Sequence, residues 1–175
     1  MSGYNNHLNN MNYNFELLAE THRIPVIDIY NYYIENSYAA YPEKRVPYEF
    51  FDLMFEKTKG YPAYTIKKNS SDKIVGFCYL KAYHPLSVFK ETAEITYFIE
   101  PLVVGKGIGK KALQLLEEKG KLMGIKQILA SISSLNDQSI AFHKKNGFRE
   151  CGKFKSIINK NGVYFDIIWM QKEIN

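Results

Sequence analysis

The chain carries 175 residues, 46% hydrophobic and 15% aromatic, with a formal net charge of +5. That is enough apolar material for one domain with a substantial core, and no apolar run reaches the roughly 20 residues of a membrane-spanning helix. The charge is dispersed in short pairs (Lys67-Lys68, Lys110-Lys111, Lys144-Lys145), which argues against a nucleic-acid partner, and Cys78 and Cys151 are too isolated for a disulfide framework or a zinc site.

In chain order, residues 1–12 are rich in Asn, lack the basic-then-apolar pattern of an export signal, and read as a variable or disordered tail ahead of a single domain over 13–175. A first strand is predicted near 15–18. A helix follows over about 25–34, with Pro25 in its first turn, and a second over about 47–59, with Phe50, Phe51, Leu53, Met54 and Phe55 as its apolar surface. Strands near 63–68 and 74–83 flank the turn Asn69-Ser70-Ser71-Asp72, and Cys78 reads as a buried strand residue. A strand over 95–99 ends at Pro101, and a helix over about 106–124 shows Leu113, Leu115 and Leu116 among charged residues. A strand near 127–132, a helix over 139–146 and strands near 148–158 and 163–172 complete the order, the last two around Asn159-Lys160-Asn161-Gly162.

Between the 95–99 strand and the helix after it lies Val104-Gly105-Lys106-Gly107-Ile108-Gly109. A glycine-rich turn opening a helix brings backbone N–H groups and the positive end of the helix dipole to an anion, so the segment suits a phosphate. It matches neither standard nucleotide fingerprint. A dinucleotide loop needs two residues between its second and third glycines, where only Ile108 stands; a P-loop ending at Gly109-Lys110 would put Val104 at its first glycine and Lys111 at its hydroxyl. A plain strand-to-helix turn is the other reading.

Downstream, Asn136-Asp137-Gln138-Ser139, the short run Ile140 to Lys145 and then Asn146-Gly147-Phe148 resemble the second signature of the GNAT superfamily of acyl-CoA N-acyltransferases. The glycine segment is similar to that superfamily's pyrophosphate loop, Arg/Gln-x-x-Gly-x-Gly/Ala, from which Val104 departs at the first position. Ile29 to Ala39, Phe142-His143 and Gly162 to Gln171 resemble the phosphinothricin and methionine sulfoximine acetyltransferase-like branch, and the resemblance runs from about residue 13 to the end. It implies an α/β (α+β) fold with a mixed, mostly antiparallel, splayed sheet flanked by helices. It also implies acetyl-CoA as co-substrate without a metal, a homodimer and, with no export signal, a cytoplasmic enzyme.

Forming an amide from an amine sheds a proton from nitrogen, so a general base is needed, directly or through water. The resemblance gives that role to Glu94, predicted to open the 95–99 strand; Glu43 is the reserve, since Pro42 fills the slot where the branch carries its Glu. His143, where most of the superfamily has Tyr, is a candidate acid for the leaving thiolate, a wall of the coenzyme channel, or structural. The coenzyme is expected on Gly105, Lys106, Gly107, Ile108, Gly109 and Lys110, on the strand at Tyr97, Phe98 and Ile99, and on Asn136 and Ser139, Asn136 being alternatively a cap. Backbone amides of Tyr97 and Ile99 would hold the pantetheine and the thioester oxygen.

The segment Lys81 to Lys90 has no Arg where the branch holds a substrate carboxylate; Lys81, His84 or Lys90 would act there only as point charges. Tyr33, Tyr38, Tyr41 and Phe89 read as an apolar pocket wall or as core, and Tyr38, Tyr41, Glu43, His84 and Phe89 are the expected amine contacts. The expected activity is N-acetylation of a small amine, an amino acid or an analogue such as phosphinothricin or methionine sulfoximine. A protein N-terminus, polyamine or aminoglycoside as acceptor, or a silent acyl-CoA-binding module, are the alternatives, with no nucleic acid or membrane as partner.

Overall fold

A computed structural model of the chain describes residues 12–174. Most of the predicted tail, residues 1–11, lies outside the described residues. The strands are β1 (Tyr13–Leu17), β2 (Ala63–Lys68), β3 (Lys73–Ala82), β4 (Thr92–Ile99), β5 (Gln127–Ser133), β6 (Arg149–Lys160) and β7 (Val163–Glu173). The helices are α1 (Arg23–Asn36), α2 (Phe50–Lys57), α3 (Ile108–Leu122) and α4 (Asp137–Lys145), with 3₁₀ turns at Glu20–His22, Ser87–Phe89 and Pro101–Val103. Among the described residues no helix is long and apolar enough to cross a membrane.

The strands form one seven-stranded sheet in the order β1-β2-β3-β4-β5-β7-β6, antiparallel except where β4 meets β5. Strand alternation divides β3 between two cores. Cys78 and Leu80 face α3, packing with Ala112, Leu113 and Leu116. Phe77 and Tyr79 face α1 and α2, packing with Val26, Ile27, Phe51 and Met54. A bulge at Val75, where Ile66 pairs with Gly76 and Lys67 with Ile74, shifts the alternation by one residue, so Val75 joins the α3 core and Ile74 the other.

Two boundaries differ from the sequence reading. The second helix begins at Phe50, because Pro47 to Glu49 form a turn in which the Phe50 N–H donates to the Pro47 carbonyl at 3.0 Å. β4 begins at Thr92, so Glu94 lies inside the strand and does not open it. It pairs with Lys81 on β3 and Leu129 on β5. Strand propensity marks the aromatic end of β4, whereas pairing with β5 recruits Thr92 and pairing on both edges recruits Ala93.

The β4–β5 seam sets the architecture of the site. Only Thr92, Ala93 and Glu94 pair with Gln127, Ile128 and Leu129, and beyond Glu94 the two strands part. From Ile95 to Ile99, β4 keeps β3 on one edge and has no strand on the other among the described residues.

Candidate active site

Alternation fixes which backbone groups line this open edge. The Glu100 N–H donates to the Val75 carbonyl on the β3 side at 2.7 Å, so Ile99, Tyr97 and Ile95 turn their N–H and C=O groups toward the gap. The Tyr33 hydroxyl donates to the Ile99 carbonyl from that side at 2.5 Å. The N–H groups of Tyr97 and Ile99 are thereby offered to the gap.

Below β4 the chain turns at Pro101–Val103 and enters the glycine segment. Gly105 and Gly107 hold φ of +83° and +80°, a region costly for residues with a Cβ, and a Cβ added at either would meet no atom within 4 Å. Gly107 is the N-cap of α3 and contributes no side chain, which leaves the first N–H groups of that helix without a side-chain cap. Gly109 serves differently: its Cα faces the Phe142 ring of α4, 3.5 Å from an added Cβ.

A cavity of about 460 Å³ follows these groups, bounded by Tyr97, Phe98 and Ile99, by Gly105, Gly107, Gly109 and Lys110, and by Asn136, Ser139, Phe142 and Lys145 of the α4 region. Backbone donors at a helix start, two ammonium groups and a free strand edge suit a long ligand with phosphates at one end and an amide-bearing arm at the other. Of the residues predicted to bind it, the side chain of Lys106 is exposed and that of Ile108 is buried in the core, so neither lines the cavity.

Asn136 takes up the capping role: its Oδ1 accepts from the Ser139 N–H at 3.1 Å, fixing the start of α4 at the mouth of the gap. One turn on, His143 is buried at 2% exposure, with both ring nitrogens engaged. Nδ1 lies 2.7 Å from the Ser139 carbonyl, which can only accept, so Nδ1 carries the hydrogen. Nε2 therefore accepts from the Tyr97 hydroxyl. Burial pushes the His143 pKa down and the Tyr97 phenol well above its usual value, so the ring is neutral and the phenol protonated. The phenol proton points at His143, so any transfer from Tyr97 to a ligand begins by breaking that bond. The partnership, across 46 residues of sequence, has no signal in the chain itself.

A second cavity of about 270 Å³ adjoins the first and shares Ala39, Tyr97, Phe98, Asn136 and Ser139 with it. Its walls add Tyr30 of α1, Tyr41, Phe50, Leu53, Met54 and Lys57 of the α2 region, Tyr79, Lys81 and Glu94 of the sheet, and Ser131 of β5. The Lys81 Nζ stands 2.8 Å from Glu94 Oε2, across the β3–β4 pair. This engages Lys81, which sequence reasoning had left free for a substrate anion. Tyr41 bonds Ser131, and burial raises its phenol pKa; burial pushes that of Tyr79 up to about 12. Lys57 has no ion-pair partner among the described residues.

The remaining candidates lie elsewhere. Tyr38 packs its ring on Phe165 at 5.4 Å and lines neither cavity. Glu43 Oε1 accepts from the Asn161 N–H at 3.0 Å, at the tip of the β6–β7 hairpin. His84 accepts the Leu86 N–H and packs tilted against Phe89 with ring centres 4.8 Å apart, an arrangement local to the 83–89 loop. Tyr33 and Tyr41 do line cavities, one each. Tyr30, Tyr79, Lys57 and Ser131 were missed; for Tyr79, alternation from Leu80 and Cys78 was the available signal.

Residues 26–148 match the acetyltransferase (GNAT) family. The chain is 26% identical over 152 residues to an L-methionine sulfoximine/L-methionine sulfone acetyltransferase of Pseudomonas paraeruginosa, covering 86% of this chain and 88% of that one. It is 24% identical over 157 residues to a phosphinothricin N-acetyltransferase of Streptomyces coelicolor, covering 86% and 90%. A GNAT superfamily phosphinothricin acetyltransferase from Sinorhizobium meliloti, solved in complex with AcCoA, superposes with a TM-score of 0.87 at 25% identity, over 94% of this chain and 90% of that one. With a splayed mixed sheet, a glycine loop opening α3 and a free β4 edge between them, the chain belongs to the acetyltransferase (GNAT) family and is an acyltransferase with acetyl-CoA as co-substrate.

Proposed function

We propose that the protein transfers the acetyl group of acetyl-CoA to the amino group of an amino acid or a close analogue such as phosphinothricin or methionine sulfoximine. The observation that carries this reading is the meeting of the two cavities at Tyr97, with Glu94 in the wall of the second. The glycine loop and the β4 edge hold the coenzyme in the first cavity, and the amine enters the second. Glu94, held by Lys81, receives the proton shed by the attacking nitrogen, directly or through water. The Tyr97 and Ile99 N–H groups stabilise charge on the thioester oxygen and position the arm. The thiolate leaves without demanding a strong acid, since a thiol pKa near 8.5 makes it a tolerable leaving group.

Charge in the second cavity favours an amine that also carries an anion. Glu94 is offset by Lys81, which leaves Lys57 as the unbalanced charge in the wall. Polyamines and aminoglycosides, with several positive charges, meet net repulsion there. The volume of about 270 Å³ also suits a small acceptor better than a peptide chain. The names of the relatives, phosphinothricin and methionine sulfoximine acetyltransferases, point the same way.

The enzyme would act in the cytoplasm, where acyl-CoA is available, and as a homodimer. A coenzyme-release assay across amino acids, their analogues, polyamines, aminoglycosides and short peptides tests the reading. Turnover is expected with the first two classes; turnover with none, in protein that binds acetyl-CoA, would leave the silent binding module.

A further inference from the structure

Lys160, the last residue of β6, is 2% exposed and lines neither cavity. Its ammonium donates to three backbone carbonyls, two at the end of α1 and one in the loop beyond: Ile34 at 2.6 Å, Ser37 at 2.8 Å and Ala40 at 2.9 Å. All three of its hydrogens are thereby used, and the Ile34 and Ser37 carbonyls lie at the negative end of the helix dipole. Lys160 has no ion-pair partner among the described residues, so these carbonyls, with the face of the Tyr38 ring 5.8 Å from the ammonium, hold the buried cation.

The loop held in this way is a wall of the site. Ala39 lines both cavities, and Ala40 and Tyr41 line the second. The same hairpin grips the loop twice more. Phe165 packs against the rings of Tyr38 and Tyr41, and the Asn161 N–H binds Glu43. A loop pinned by a buried charge on a hairpin has little freedom to move, and the cavity wall inherits that rigidity.

We infer that Lys160 is a positioning residue of the acyl-acceptor site: its ammonium, by binding the Ile34, Ser37 and Ala40 carbonyls, fixes loop 37–41 and so sets the affinity for the amine. The inference rests on the reading of the second cavity as the acceptor site. Of this loop only Ala39 also borders the first cavity, and the glycine loop and the β4 edge make none of these contacts, so the amine is affected more than the coenzyme.

Lys160→Met keeps the stem and removes the three donors. The KM for the amine is expected to rise about tenfold, with kcat and acetyl-CoA affinity each changing less than about threefold. Amide hydrogen exchange at residues 38–41 should speed up while that of α3 stays unchanged. An unchanged KM with unchanged exchange overturns the inference. So does a parallel loss of amine affinity, coenzyme affinity and global stability, which would make Lys160 a support of the fold alone. Should the Met variant not fold, Lys160→Gln, which retains two donors, and Glu43→Ala at the exposed end of the loop take its place. Each should raise the amine KM by about two- to threefold with faster local exchange, and wild-type values for both in folded protein overturn it. If wild-type protein acetylates no amine, the functional reading falls, and exchange at 38–41 still decides whether Lys160 holds the loop.

Discussion

Glu94 sits where three strands meet, paired in register with Lys81 and Leu129 and tied by the Lys81 ammonium. If this carboxylate receives the amine proton, Glu94→Gln keeps its shape and removes the base. Turnover should fall by about 10²–10⁴-fold with acetyl-CoA affinity unchanged. The deficit should shrink as pH rises toward the amine's own pKa, because free amine then arrives without help; single-turnover rates across pH measure it. A deficit that is constant across pH would assign Glu94 to binding. Glu43→Gln should leave the chemical step near wild type, since Glu43 holds the hairpin tip and lines neither cavity. His143 gives a second prediction with a definite sign. Its pKa is lowered by burial, so below about pH 6.5 the unfolded chain binds a proton that the folded one refuses. Its contribution to stability is full above pH 6.5 and is lost as pH falls from there through the folded-state pKa. The melting temperature of the wild type should therefore drop between about pH 7 and 5.5 more steeply than that of His143→Gln. Equal slopes would mean that His143 takes up its proton alike in the folded and unfolded chain.

The α3 element begins with a prediction of its own. At Gly107, with φ +80°, a β-branched side chain strains the backbone and stands in the space a pyrophosphate needs. Gly107→Val should weaken acetyl-CoA by at least about tenfold, or about 1.4 kcal/mol, as titration calorimetry would read. Gly109→Ala should cost less, because its added methyl meets Phe142 at ordinary contact distance. Equal losses would mean that the two glycines do the same work. The contrast also marks what the sequence carried. Three glycines before an amphipathic run were legible as a loop opening a helix, and the strands at 63–68 and 95–99 were legible from aromatic and β-branched runs. Which glycine faces open space and which faces Phe142 depends on how α3 meets α4, a matter of packing that no local pattern encodes. The same holds for the Tyr97–His143 bond and for Lys160, whose partners lie more than a hundred residues away. Glu94 was found through a motif, yet its place within β4 came from pairing on both sides. Tyr38, His84 and Phe89 were read as site residues because aromatic and polar character alone does not say which way a loop turns.

The whole molecule leaves an apolar surface on the β6–β7 hairpin. Phe154, Ile157 and Tyr164 are more than half exposed, and β6 is the outermost strand of the sheet. A homodimer built on this face predicts that light scattering at micromolar protein reports twice the monomer mass, and that Phe154→Glu with Ile157→Lys restores the monomer. Monomer in the wild type would refute the face. The parting of β4 from β5 has a further consequence. Its donors are main-chain groups of Tyr97 and Ile99, present whatever side chains those positions bear. The second cavity is instead walled by the side chains of Tyr41, Phe50, Leu53, Met54 and Lys57. On the proposed reading of the second cavity, substitution of these side chains retunes which amine is taken while the main-chain donors to the coenzyme stay in place. A fold arranged in this way diversifies at one end without losing its currency at the other.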